Sequence, residues 1–129
     1  MVAAELSEAR AASALVLVVE DEVLIRMLLS DELRQAGFAV IEAANGDEAL
    51  EVLAAQVAPD VMITDVRMPG GIDGLGLAAQ ARRAHPRLRV IVTSGHCPLG
   101  AAEIADAFIP KPYDLGRLVQ HVRAMTPPA

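Results

Sequence analysis

Hydrophobic residues fall along this chain in short unbroken runs, separated by longer stretches of helical spacing. Leu15-Val16-Leu17-Val18-Val19 is continuous rather than alternating, which predicts a strand buried on both faces. From Val23 to Ala36, the apolar Val23, Leu24, Met27, Leu28 and Leu33 recur at helical spacing, and Gly37 supplies the stop. Phe38 to Ile41 predicts a second strand. Asn45-Gly46 predicts a turn, with Asn45 or Asp47 capping a helix that runs through Gln56. Pro59-Asp60 breaks that helix before a third strand, Val61 to Thr64. After the loop Met68-Pro69-Gly70-Gly71, Leu75 to Ala84 predicts a helix closed by His85-Pro86, and Arg89 to Thr93 a fourth strand. Ala101 to Ala105 predicts at most a short helix, Ala107 to Ile109 a fifth strand, and Leu115 to Met125 the last helix.

Strand-then-helix units repeated five times predict an α/β fold of three layers. Its centre is a five-stranded parallel sheet with right-handed crossovers and helices on both faces. Residues 1–14, rich in alanine, read as an N-terminal extension, 15–125 as one domain and 126–129 as a tail. A chain of 129 residues leaves no room for a second domain.

Composition narrows the function. The 53% hydrophobic content suits a packed globule, with aromatic bulk confined to Phe38, Phe108 and Tyr113. A net charge of −6 argues against direct contact with nucleic acid, which needs a clustered basic face. The single Cys97 excludes an internal disulfide and a cysteine metal cluster, and fits a reducing cytoplasm. No run approaches the roughly 18 apolar residues of a membrane span. The start, with Glu5 and Glu8, lacks the basic opening of a signal peptide. A cytoplasmic protein without membrane contact is expected.

The candidate chemistry lies where two apolar runs end. Glu20-Asp21-Glu22 closes the first strand and Asp65 the third. Carboxylates gathered at the ends of buried strands repel one another and need a counter-charge, so a shared cation site is the simplest explanation. Oxygen ligands with spare water positions suit Mg²⁺. Open parallel sheets bind their ligands at this same edge, beyond the carboxyl ends of the strands. A competing explanation is that Glu20 and Glu22 serve the N-terminus of the following helix. That accounts for Glu22 but not for Asp65. Thr93-Ser94-Gly95 places a hydroxyl at the end of the fourth strand, and Pro110-Lys111-Pro112 places a lysine of restricted backbone after the fifth. Taken alone, Lys111 would be an ordinary loop lysine.

Five stretches taken together resemble the receiver domains of two-component response regulators. They are Val18-Val19-Glu20-Asp21-Glu22, Asp65-Val66-Arg67-Met68-Pro69 with Asp73-Gly74, Ser94-Gly95, Phe108-Ile109-Pro110-Lys111-Pro112, and Asn45-Gly46 with Glu48-Ala49-Leu50. The resemblance covers about residues 15 to 125 and implies the flavodoxin-like strand order 2-1-3-4-5. It implies that Asp65 is the phosphoacceptor, taking a phosphoryl group from a phosphohistidine of a sensor histidine kinase or phosphotransfer protein. Glu20, Asp21, Asp65 and the backbone carbonyl of Arg67 would hold Mg²⁺, with Lys111 as the second positive charge. Ser94 would be the hydroxyl that meets the phosphoryl group, with Thr93 as the alternative, and Phe108 the aromatic switch. The Lys111–Pro112 peptide would be cis. The output would be a conformational change read by a downstream protein target, and the only catalysis that of the protein's own phosphorylation and dephosphorylation.

The sequence departs from the family in three places. Gly70-Gly71 lengthens the loop after Asp65 by one residue. The stretch between Ser94 and Lys111 is shorter than usual and contains Pro98 and Gly100, which predicts a shortened fourth helix and puts the usual output surface in doubt. Arg67 and His96 stand two residues after Asp65 and Ser94, where side chains line the access of attacking water. Two rivals are weaker. A dehalogenase-type phosphohydrolase needs an acid two residues after its nucleophile, where this chain has Arg67. A phosphorylation-independent interaction module needs a broken site, and here every element of it survives. A stand-alone regulator, a phosphate shuttle and a receiver from a hybrid kinase all remain open contexts.

Overall fold

The computed structural model of the chain describes residues 14–68, 70–95 and 104–126. Strands β1 (Leu15–Val19), β2 (Ala39–Ala43), β3 (Val61–Asp65), β4 (Arg89–Ser94) and β5 (Ala107–Pro110) form one sheet in the order β2-β1-β3-β4-β5. Every pairing is parallel. Helices α1 (Val23–Gln35) and α4 (Leu115–Met125) cover one face, and α2 (Gly46–Ala54) and α3 (Gly74–Ala84) the other.

The unbroken apolar runs make this architecture possible, because alternate residues of a strand face opposite layers. Val16, Val18, Val61, Ile63 and Ile91 pack against Leu29 and Leu33 of α1 and Leu118 and Val122 of α4. Leu17, Val19, Met62, Val90 and Val92 pack against Ala49 and Leu53 of α2 and Leu77, Ala78 and Ala81 of α3. A half-polar strand would waste one of the two cores; burying each of these side chains contributes about 1.5–3 kcal/mol.

Side-chain caps set three of the four helix starts. Asn45 accepts from the Glu48 amide at 2.8 Å, Asp73 from the Gly76 amide at 2.8 Å, and Asp114 from the Arg117 amide at 3.1 Å. Glu22 occupies the same position before α1 but makes no side-chain cap, so its expected service to that helix is at most that of a nearby charge. After α1, Gly37 adopts a φ of +101°, the conformation that lets the chain turn back into β2.

The boundaries move by a few residues from expectation. β2 starts at Ala39 and runs to Ala43, α2 ends at Ala54, and β3 and β4 each extend to include Asp65 and Ser94. Helix α1 forms where expected, over Val23–Gln35. Of the apolar residues whose spacing predicted this helix, only Leu33 is buried; Val23, Leu24, Met27 and Leu28 are all half exposed or more. The buried arc is Leu29, Ser30 and Leu33, and at 100° per residue Leu24 and Leu28 fall on the far side from it. Of the expected short helix (101–105), extension (1–14) and tail (126–129), all but Ile104, Ala105, Ala14 and Thr126 lie outside the described residues. Among the described residues, no helix is long and apolar enough to cross a membrane.

Candidate functional site

Strand register alone gathers the candidate residues. Val19 pairs with Thr64, so Glu20 follows β1 beside Asp65 at the end of β3. Asp65 pairs with Thr93, and Ser94 with Pro110, which brings Lys111 to the same edge. The Lys111 amide donates to the Ser94 carbonyl at 2.8 Å. The Lys111–Pro112 peptide is cis. The Lys111 ammonium then lies 2.8 Å from Asp65 Oδ2 and 3.3 Å from Glu20 Oε1.

The backbone of Asp65 is held from several sides. The Thr64 hydroxyl donates to its carbonyl at 2.9 Å, and the next amide, Val66, donates to the Thr93 carbonyl at 3.1 Å. The start of α3 presses on the same carbonyl: a Cβ at Gly74 would overlap it, so glycine is required there. On the other side, Arg26 donates to the Glu20 carbonyl at 2.7 Å and pairs with Glu42 at 3.4 Å, tying α1 to the end of β1.

The electrostatics are those of one cation among three carboxylates. Burial pushes the Glu20 carboxyl upward; Lys111 opposes this, while Asp21 and the Asp65 charge add to it, and the net direction is up. Burial pulls the Lys111 ammonium down, but the Asp65 hydrogen bond and the charges of Glu20 and Asp65 outweigh it and leave its pKa raised. Half-buried Tyr113 is pushed up by burial and then by the Glu20 charge. Glu20 is almost fully buried, and its second oxygen, Oε2, has no hydrogen-bond partner. Buried carboxylate oxygens rarely stay unsatisfied without a reason. Glu20, Asp21 and Asp65 each offer an oxygen within 4.8 Å of the others, and Asp21 is open to solvent. Three hard oxygen donors, one of them orphaned and one beside water, fit Mg²⁺.

The other predicted residues lie around this centre. Thr93 and Ser94 are both buried at the end of β4. Strand alternation sends Ser94 toward the α2–α3 face with Val90 and Val92, and Thr93 toward the opposite face with Ile91. Phe108 is half-buried against the α2–α3 core, on the side of Ser94. Arg67 is exposed in the loop after β3; His96 lies outside the described residues. Sequence reasoning passed over Arg26 and Tyr113. Tyr113, in Lys111-Pro112-Tyr113, was within reach of a closer reading of that motif. Arg26 carried no signal, because its partner is a backbone carbonyl.

A five-stranded doubly wound sheet with an acidic pocket and a lysine at its carboxyl edge defines a class of phosphoryl-handling signalling domain. The sequence matches the response regulator receiver domain family over residues 16–123, and the chain belongs to that family. It is 41% identical over 110 residues to the DNA-binding transcriptional regulator NtrC of Escherichia coli (strain K12), spanning 81% of this chain and 23% of that protein. It is 40% identical over 121 residues to the sensor kinase CckA of Brucella abortus (strain 2308), spanning 88% of this chain and 12% of that one. The chain therefore spans less than a quarter of the length of either relative. Among solved structures it resembles the response regulator protein TrrA from Thermotoga maritima in complex with Mg(2+)-BeF. The TM-score is 0.79 at 31% identity, over 88% of this chain and 99% of that one. As a receiver domain it is a signalling module of two-component systems.

Proposed function

We propose that the protein accepts a phosphoryl group on Asp65 from a phosphohistidine of a sensor histidine kinase or phosphotransfer protein, and passes the signal to a downstream protein. A carboxylate oxygen of Asp65 attacks phosphorus, the P–N bond to histidine breaks, and the imidazole leaves as the neutral base once it takes a proton. The observation that carries this reading is the Lys111 ammonium bridging Asp65 and Glu20 while Glu20 Oε2 stays buried and unpartnered. Mg²⁺ held by Glu20, Asp21, Asp65 and the Arg67 carbonyl would neutralise charge on the transferring group. That TrrA was solved with Mg(2+)-BeF supports such a site here.

Lys111 holds one Asp65 oxygen and, after transfer, keeps its positive charge against the new phosphoryl oxygens. Ser94 reaches for the phosphoryl group and Phe108 follows it. The alternation that puts both on the α2–α3 side favours Ser94 over Thr93. The exposed apolar side of α1, with Leu24, Met27 and Leu28, stands beside a groove of about 470 Å³ that Lys111 and Tyr113 line. A phosphodonor protein would dock there, next to its acceptor. The protein acts in the cytoplasm and touches neither membrane nor nucleic acid directly.

Incubation with acetyl phosphate and Mg²⁺, followed by intact mass measurement, tests the proposal. Wild type gains one phosphoryl group and Asp65→Asn gains none. No gain by wild type with the metal present would overturn it.

A further inference from the structure

The amino end of the sheet carries a feature of opposite sign that phosphoryl transfer does not use. Four of the chain's eleven basic residues, Arg82, Arg83, Arg87 and Arg89, lie within eight consecutive positions there. Asp106 holds two of them. Arg82 Nη1 is 3.6 Å and Arg89 Nη1 3.3 Å from its carboxylate, which also accepts from the Val90 amide at 2.8 Å. Arg83 and Arg87 are exposed, and neither has a hydrogen bond or ion pair to any described residue. The dipole of α3 explains basic residues in its last turn, Arg82 and Arg83, but not Arg87 and Arg89 beyond it. Grooves flank the Pro86-Arg87-Leu88 turn on both sides. One of about 470 Å³ has Pro59, Asp60, His85 and Pro86 in its walls, with an Asp60 oxygen accepting from the Leu15 amide at 2.8 Å, and one of about 380 Å³ has Arg82, Arg87 and Arg89.

We propose that this surface docks an acidic, extended segment of a partner protein, with carboxylates on Arg83 and Arg87 and an apolar side chain in the groove walled by Pro59 and Pro86. Charge complementarity selects the partner: planar guanidinium forks on an otherwise acidic protein recruit carboxylates. Nucleic acid fits less well, because the patch is short, two of its four arginines are engaged by Asp106, and among the described residues no Phe, Tyr or Trp lines either groove. The surface is separated from Asp65 by the length of β3, about 17 Å, beyond the Debye length of about 8 Å at physiological salt. A partner held here leaves the acidic edge open. Arg82 also donates to the Ile104 carbonyl at 2.7 Å, so the patch grips the chain entering β5, the strand that leads to Lys111.

The test is fluorescence anisotropy with a labelled peptide of glutamates interspersed with leucine and proline, on the whole protein. The glutamine version of the peptide and a single-stranded oligonucleotide of matched charge serve as comparisons. The acidic peptide binds, binding weakens with salt, and the double variant Arg83→Glu, Arg87→Glu loses roughly tenfold or more in affinity with an unchanged melting temperature. Asp65→Asn binds the peptide like wild type, which separates this surface from phosphoryl transfer. Equal binding of the glutamine peptide, or an unaffected double variant, overturns the proposal. Tighter binding of the oligonucleotide overturns it in favour of nucleic acid. Self-association of the wild type that the double variant abolishes overturns it in favour of a second copy.

Discussion

The two ends of this sheet are near mirror images in charge. At the carboxyl edge one lysine stands among three carboxylates; at the amino edge the Asp106 carboxylate stands between two arginines. They differ in how far they satisfy themselves. Both oxygens of Asp106 are engaged, by two guanidinium groups and a backbone amide. Glu20, more deeply buried, keeps one oxygen without a partner, and its carboxyl is pushed toward neutrality by burial. The amino edge is electrostatically closed around Asp106 and presents its surplus outward. The carboxyl edge is incomplete and calls for a ligand. Equal crowding of charge thus gives a clamp in one place and a candidate site in the other, according to which group is left over.

The sharpest way to break this comparison is to exchange the two edges in function. Asp65→Asn is expected to abolish uptake of the phosphoryl group entirely, while the Arg83→Glu, Arg87→Glu double variant takes it up like wild type, both read by intact mass. If the arginine variant also lost phosphorylation, the edges would not be independent. Next in size is Lys111→Ala. It should still bind Mg²⁺ but lose most of the conformational response to phosphodonor, measured by amide hydrogen exchange. Its thermal stability without metal should fall, since Glu20 and Asp65 lose the ammonium that bridges them, and Mg²⁺ should restore more of it than in wild type.

Asp106→Ala removes the acceptor of the Val90 amide and leaves two guanidinium groups unpaired. A loss of about 1–3 kcal/mol in urea unfolding is expected, identical with and without Mg²⁺. A metal-dependent loss would contradict the division between the edges. The smallest effect is Glu20→Gln. A carboxyl raised above its ordinary value of 4.5 binds more protons folded than unfolded, so its stabilising contribution is present below that pH and is lost as pH climbs through the folded value. Without metal, wild type should lose stability over that window and Glu20→Gln should not. The variant should also lose the stabilisation by Mg²⁺. The raised Lys111 works at the other end of the scale: its contribution is complete at neutral pH and fades only above about 10.5. Thermal melts across pH check both.

Much of this was legible before any coordinates. Continuous apolar runs could only be strands buried on both faces, and the number of strand–helix units left a parallel sheet as the economical solution. Glu20 and Asp65 declared themselves because a carboxylate closing a buried run is costly without compensation. The strand order was legible only through resemblance to the family, since periodicity says which residues face a core and nothing about which strands are neighbours. The core face of α1 was not legible, because the helix is apolar nearly all round: Val23, Leu24, Met27 and Leu28 match the spacing of a core face as well as Leu29 and Leu33 do. The arginine cluster was hidden by the net charge of −6, an average that erases local sign.

The sequence alone determined which segments are strands, that a helix is capped at Asn45 or Asp47, and that carboxylates and a proline-flanked lysine stand at strand ends. These are local matters of propensity, period and side-chain chemistry. Only the tertiary structure decided that Lys111 bridges Glu20, 91 residues away, and Asp65, 46 residues away, or that Asp106 closes the distant edge. The packing of α1 on the sheet also decided which of its apolar sides is core and which faces solvent. Such distances depend on strand order, register and helix rotation, which the whole chain settles together when its two cores close.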